Sequence, residues 1–315
     1  MMQILNGIHS QSKSLGLLKF ALPVLFLLLI VTAPSFSQTA AGLIYRANAG
    51  DILKYESSRK DIRISEREGE SFEMTTRRTY NFQLQAEKTD SLLSFVLTVN
   101  KLDVASEGGR GGRGFQPFDL KAAEGKRVRL KITPQGENRE ITAIDSIPRP
   151  EPPDRGGDRP GRARFGNPLN QLRPVFFKLP AKAMKVGDSW TEPYQETDQG
   201  GGGFFGRFMP DQKVAGKTKY TVIGEEKKQG LACLHLKVES TYSRSFDSER
   251  QGNRISGESE GETKADVWFA PKEGVLVEFV QEDFNEGTTA FSGNTMPNSN
   301  ESHYTIKLIE WKPKK

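Results

Sequence analysis

Along most of the chain apolar and polar residues alternate with a period of two. Val128, Leu130 and Ile132 are separated by Arg129 and Lys131; Tyr80, Phe82 and Leu84, and then Phe95, Leu97 and Val99, repeat the pattern. Successive side chains of an extended strand point to opposite faces, so this alternation predicts strands with one buried and one wet face. Turn-forming runs such as Thr133–Asn138 (TPQGEN) and Ala270–Gly274 (APKEG) separate the strands at hairpin distances. Helical spacing is confined to Pro168–Phe177. Strands without intervening helices pair antiparallel, which makes this an all-β chain.

The pattern occurs twice. Gly50-Asp51 and Gly187-Asp188 each open a strand and lie 137 residues apart; the turns at Pro134 and Pro271 have the same separation. Between them, Leu97 and Val99 correspond to Leu236 and Val238 at an offset of 139. Landmarks in one order at nearly one spacing indicate an internal duplication. The chain therefore divides into residues 1–37, a first β module at 38–147, a Pro/Gly/Arg-rich linker at 148–168 and a second β module at 169–315. Each module is expected to be a small antiparallel sandwich or a curved half-barrel, joined to the other by that extended spacer.

The N-terminus changes the picture from architecture to location. Lys13 and Lys19 precede an apolar run, Ala21–Val31, and small residues stand at Ser35 and Ser37. This order describes a secretory signal peptide cut ahead of Gln38, and the apolar run is shorter than the ~20 residues that span a bilayer. The processed chain is expected to be soluble, in the periplasm or secreted. Losing Lys13 and Lys19 lowers the formal charge from +5 to +3, spread over charges of both signs. That balance lacks the dense cationic surface nucleic acid requires. The Arg/Gly stretch Glu107–Phe115 (EGGRGGRGF) has a polar counterpart in Phe246–Gly257, so both read as hairpin tips. Cys233, the single cysteine, sits in LACLHL and reads as a small buried apolar residue.

Candidate chemistry is sparse. Ser189 within Gly187–Trp190 (GDSW) resembles the nucleophile block of Gly-Asp-Ser-Leu hydrolases, with His303 as a late histidine. Asn300 stands where that family's aspartate would be, and the first module has Ile52 in place of the serine. The Gly-Asp pair therefore reads as a structural turn, with a Ser189 hydrolase as the weaker alternative. His235 and His303, with a lone cysteine, offer few ligands for a metal, and no cofactor is expected. His235 shares a strand face with Lys237 and Glu239 and reads as a solvated surface histidine. Aromatic residues offer more. Phe204, Phe205 and Phe208 lie on a glycine-rich loop, and Trp268 replaces the first module's Lys131 on an outward position. The simplest expectation is that the other module or the C-terminal strand around Trp311 covers Trp268. With Trp190 these residues form the candidate contacts for an apolar ligand.

The segment Lys178–Trp190 (KLPAKAMKVGDSW), followed by alternating strands and a Pro/Gly turn, resembles a family of uncharacterised exported bacterial proteins. That family shares an LP-x-K-x-V-K-x-G-D-x-W segment and a β-rich body; Met184 stands where it more often has valine. The resemblance implies export and β-structure and carries no functional residues with it. The expected function is non-enzymatic: binding or structure in the cell envelope through an envelope partner, or carriage of a lipid or other apolar ligand.

Overall fold

A computed structural model describes residues 41–67, 69–87, 91–108, 123–146, 176–180, 182–198, 212–250, 253–291 and 293–314. The described strands are β1 (Ala41–Gly42), β2 (Ile52–Arg67), β3 (Glu70–Ala86), β4 (Leu93–Gly108), β5 (Arg127–Ile132), β6 (Asn138–Ala143), β7 (Ala183–Met184), β8 (Ser189–Asp198), β9 (Gln212–Lys228), β10 (Leu231–Arg250), β11 (Asn253–Ala270), β12 (Val275–Phe291) and β13 (Asn294–Lys312). The chain is all-β, as the alternation predicts. Phe176 and Phe177, at the end of the segment with helical spacing, are not helical. The Phe177 carbonyl instead accepts the Tyr45 hydroxyl at 3.0 Å.

The strands do not form two separate sandwiches or half-barrels. Eleven of them make one open antiparallel sheet in the order β6-β5-β4-β3-β2-β13-β12-β11-β10-β9-β8, while β1 pairs with β7. The join is the β2–β13 ladder, which runs from Ile52↔Lys312 to Ser65↔Asn298. Two separate sheets would each leave a long row of main-chain donors and acceptors unpaired here. Pairing β2 with β13 satisfies both rows and removes two exposed edges. The proposed linker, the Arg/Gly stretch beyond Gly108 and Phe204–Phe208 lie outside the described residues. The hairpin expected in the second module is present, with Arg250 paired to Asn253 beside its tip.

One end of this sheet is curled around an apolar plug. Phe176 stacks on Phe95 of β4 at 5.8 Å, while the adjacent Phe177 meets Tyr220 of β9 at 6.4 Å and Phe279 of β12 at 6.0 Å. In a flat sheet β4 and β9 would lie about 34 Å apart, at ~4.8 Å per strand. Two neighbouring residues touch both, so the sheet bends strongly between them. Tyr45 completes the plug, meeting Phe176 and Phe269 edge-on at 5.4 and 5.2 Å. Main-chain bonds fix it in place: Tyr45 N donates to Pro134 O, Arg46 N to Gly274 O and Leu179 N to Gln135 O.

Register shifts help the bend. They occur at Asn81/Phe82, Lys131/Ile132, His235/Leu236, Trp268/Phe269 and Leu308/Glu310, all near the curled end. A bulge adds an unpaired residue to one strand and increases local twist. Two such extra residues, Ile223 and Ile309, account for two of the exposed large apolar side chains, at 48% and 55% exposure.

The alternation places Leu97, Leu130, Leu236, Val267 and Phe269 on the inner face, all fully buried. Cys233 also belongs to this core, and burial pushes its thiol up to about 11. The thiolate, which is the reactive form, is thus scarce at pH 8. Native protein is therefore expected to resist a thiol-disulfide reagent at pH 8, and denatured protein to take up one equivalent. Rapid labelling of the native chain would contradict this placement.

Candidate functional site

The two Gly-Asp turns settle as structure first. Gly50 and Gly187 adopt φ of 97° and 89°, a left-handed conformation that favours glycine. In each turn the aspartate closes a loop over three residues: Asn48 N donates to Asp51 Oδ2 at 2.7 Å, and Lys185 N to Asp188 Oδ2 at 3.1 Å. Each turn then clasps a neighbouring strand, Gly50 N to Ala86 O and Gly187 N to Val222 O. Ser189 Oγ donates to Tyr220 O at 3.0 Å and lies 3.2 Å from Thr221 Oγ1. His303 belongs to β13, five ladder positions from β8, and contacts Glu301 and Glu282.

Inner-face residues form transverse rows across the sheet, because the register pairs them strand by strand. Nearest the plug, the rows are apolar: Val222, Leu236, Val267, Phe279 and Ile306 lead to Ser57, Tyr80 and Leu102. In the next row Tyr220, Val238, Ala265, Gln281 and Tyr304 lead to Arg59, Arg78 and Val104. Polar and charged groups dominate the row after that, which contains Asp283, Ser302 and Asp61. Asp283 accepts from Thr263 at 2.7 Å and Tyr242 at 3.1 Å. Burial, reinforced by that carboxylate, pushes the Tyr242 hydroxyl up to about 12. The Tyr242 and Phe246 rings lie over Gly261 and Gly257, where any Cβ would approach the ring to 2.5 Å. Glycine at these positions is what admits the rings.

Trp190 lies on the inner face. It stacks on Tyr220 at 5.0 Å and 10°, half-buried, and its indole donates to Glu192. Trp268 lies on the opposite face. The two tryptophans therefore do not share one site. Neither the other module nor the C-terminal strand covers Trp268: it stacks on His235 at 4.5 Å, and Lys228 Nζ lies 3.9 Å above its ring. Nor is His235 a freely solvated histidine. Its side chain is 13% exposed, with Nδ1 2.8 Å from Glu226 and Nε2 2.6 Å from Asp266. The cause is register: His235 pairs directly with Trp268, so the indole covers the ring.

A group not singled out from the sequence lies where the inner face turns from apolar to polar. Arg59 and Arg78 are directly opposite one another in the β2–β3 ladder. Arg59 is held by Asp61 at 2.8 Å. Arg78 is half-buried, and burial lowers its proton affinity most, with Arg59 and Arg63 adding to the effect and Asp61 opposing it. The hairpin itself carried the signal. Counting outwards from Arg67↔Glu70 aligns Arg59 with Arg78.

On the outer face, Glu66, Glu258, Glu260 and Glu286 border an open cavity of about 680 Å³ at the far end of β2 and β10–β12. Among the described residues no group of three or more His, Cys, Asp or Glu side chains is arranged to hold a metal ion. No described helix is long and apolar enough to cross a membrane.

No protein-family model matches the chain, and no curated protein matches it. Among solved structures, one of lipovitellin, concerned with lipid–protein interactions, aligns with 86% of this chain at 11% identity and a TM-score of 0.48. This chain spans 26% of the lipovitellin chain's length. Pseudomonas aeruginosa OccK11 (OpdR) aligns over 85% of this chain and 100% of its own, at 7% identity and a TM-score of 0.24. Pseudomonas aeruginosa OpdQ aligns over 82% and 98%, at 8% identity and a TM-score of 0.24. No function is transferred from these scores.

Proposed function

We propose that this is an exported, non-enzymatic binding protein whose curved inner face carries an apolar ligand in the periplasm or outside the cell. Export rests on the signal-peptide pattern of residues 1–37. We also retain the reading of two copies of one module. The strand series β2–β6 and β8–β12 each follow a Gly-Asp turn in the same order, and β13 is the added strand that joins them.

The observation that carries the binding reading is the inner face beside the plug. Trp190 and Tyr220 form a half-exposed aromatic wall there, continuous with buried Val238, Ala265 and Tyr304. A flat aromatic pair next to an apolar floor suits an alkyl chain or ring system, which gains about 25 cal/mol for each Å² removed from water.

The two faces make the test specific. A bromine-labelled fatty acyl probe quenches tryptophan only on close contact. In a Trp268→Phe/Trp311→Phe variant, which keeps Trp190, the probe is expected to quench the emission saturably. In a Trp190→Phe/Trp311→Phe variant, which keeps Trp268 on the other face, it is expected to leave emission unchanged. Saturable quenching of Trp268 alone, or of neither, would overturn the reading.

A further inference from the structure

We propose that the inner face selects an anionic amphiphile, with its charged head between Arg59, Arg63 and Arg78 and its apolar part directed along Tyr80 and Tyr304 toward the plug. This deepens the carrier reading and rests on it.

The first argument is register. Arg59 and Arg78 are an in-register pair of like charges, an arrangement that destabilises a sheet unless something neutralises it. Arg63 is on the same face of β2, two alternations further along. Among the described residues, the ladder neighbours of these arginines are known on both flanks. On β13, the residues opposite Arg59, Asp61 and Arg63 are Tyr304, Ser302 and Asn300. On β4, the residue opposite Arg78 is Val104. On β3, Thr76 faces Asp61 and Met74 faces Arg63. Asp61 is the one acid among these described neighbours, and it is already engaged by Arg59 through two hydrogen bonds of 2.8 and 3.0 Å. Among these described ladder neighbours one carboxylate therefore faces the Arg59–Arg78 pair, and Arg59 holds it.

The second argument is position. The arginines stand where the inner face changes character. On the plug side Tyr80 and Tyr304 are 8% exposed, with Leu102 and Ile306 buried behind them. Arg59 and Arg63 are exposed and Arg78 is half-buried, so the cationic end is open to solvent while its base is apolar. Cation above, apolar floor below is the complement of an amphiphile with a carboxylate or phosphate head. Guanidinium matches either group in a two-point contact.

The third argument is contrast between faces. In the distal parts of β11–β13 the outer positions carry Glu258, Glu260, Glu262, Glu282, Glu286 and Glu301. Lys264 and Arg254 on that stretch are each engaged by an acid, Glu262 and Asp247, so this part of the outer face is net acidic and suits an anion less than the arginine row does.

The test compares two single-chain lipids with the same acyl group on the purified full-length protein: lysophosphatidylglycerol, which is anionic, and lysophosphatidylcholine, which is zwitterionic. Wild type is expected to bind the anionic lipid at least about tenfold more tightly, a preference that weakens with added salt. Arg78→Gln is expected to remove most of that preference, lowering lysophosphatidylglycerol affinity more than lysophosphatidylcholine affinity. Arg63→Gln, at an exposed position that does not threaten folding, is expected to reduce it part-way. Without lipid, Arg78→Gln is expected to melt at or above the wild-type temperature, because a like-charge repulsion has been removed. A lower lipid-free melting temperature would mark Arg78 as structural and overturn the proposal. Equal binding of both lipids by wild type and both variants would overturn the head-group assignment alone. Binding of neither lipid would overturn the carrier reading beneath it as well.

Discussion

Phe269→Ala is expected to lower the unfolding free energy by about 3–5 kcal/mol, the range for deleting a fully buried aromatic ring. Phe269 is 0% exposed and lies on β11 at the bulge opposite Leu276. Its ring meets Tyr45 edge-on at 5.2 Å, so it is where the sheet touches the plug. The loss falls at the upper end of what a core site tolerates because the surroundings cannot collapse into the space. Tyr45 is pinned by its main-chain bond to Pro134, and Arg46 next to it by the bond to Gly274. Gly136 beneath the plug leaves no slack either: an added Cβ there would lie 2.5 Å from the Tyr45 ring. Urea unfolding should show a lower midpoint with an unchanged slope. A loss below about 1 kcal/mol would mean the plug does not close the curl as described.

Asp51→Ala and Asp188→Ala are expected to differ, although the two turns match in sequence and local geometry. Asp188 accepts one main-chain bond, from Lys185, in an exposed setting. Asp51 is 4% exposed and accepts two, from Asn48 at 2.7 Å and from Lys314 N at 2.8 Å. The second bond ties the end of the chain to the start of β2 and helps hold the β2–β13 ladder at its base. Hydrogen bonds to a charged acceptor contribute about 1.5–3 kcal/mol each, less where water can replace the partner. Asp51→Ala should therefore cost about 2–4 kcal/mol, and Asp188→Ala about 1 kcal/mol. Thermal unfolding of the two variants in parallel reads the difference. Equal losses would show that the Lys314 bond contributes nothing.

What the sequence revealed follows from how local the information is. Alternation at Val128–Ile132 and Phe95–Val99 is a property of each strand alone, and it fixed both the strand type and the inward side chains. The ladder between β2 and β13 was not readable, because its partners lie more than 200 residues apart and their alternation would suit any antiparallel neighbour. That one missing pairing turned a single sheet into two separate modules. Trp190 was recognised as an aromatic of interest and does face inward. Trp268 has the same chemistry on the other side, where its cover comes from His235 and Lys228 on the second module's own strands. The arginine group lay within reach. Arg59 and Arg78 are nineteen positions apart, and only the position of the β2–β3 turn makes them neighbours.

The central claim is that the curved inner face holds an apolar ligand, and native mass spectrometry of the protein purified from its own envelope fraction tests it most directly. The account predicts a reproducible mass above that of the polypeptide Gln38–Lys315, removed by organic extraction and diminished in Arg78→Gln. Preparation after preparation at the bare polypeptide mass, unchanged by extraction, would contradict it.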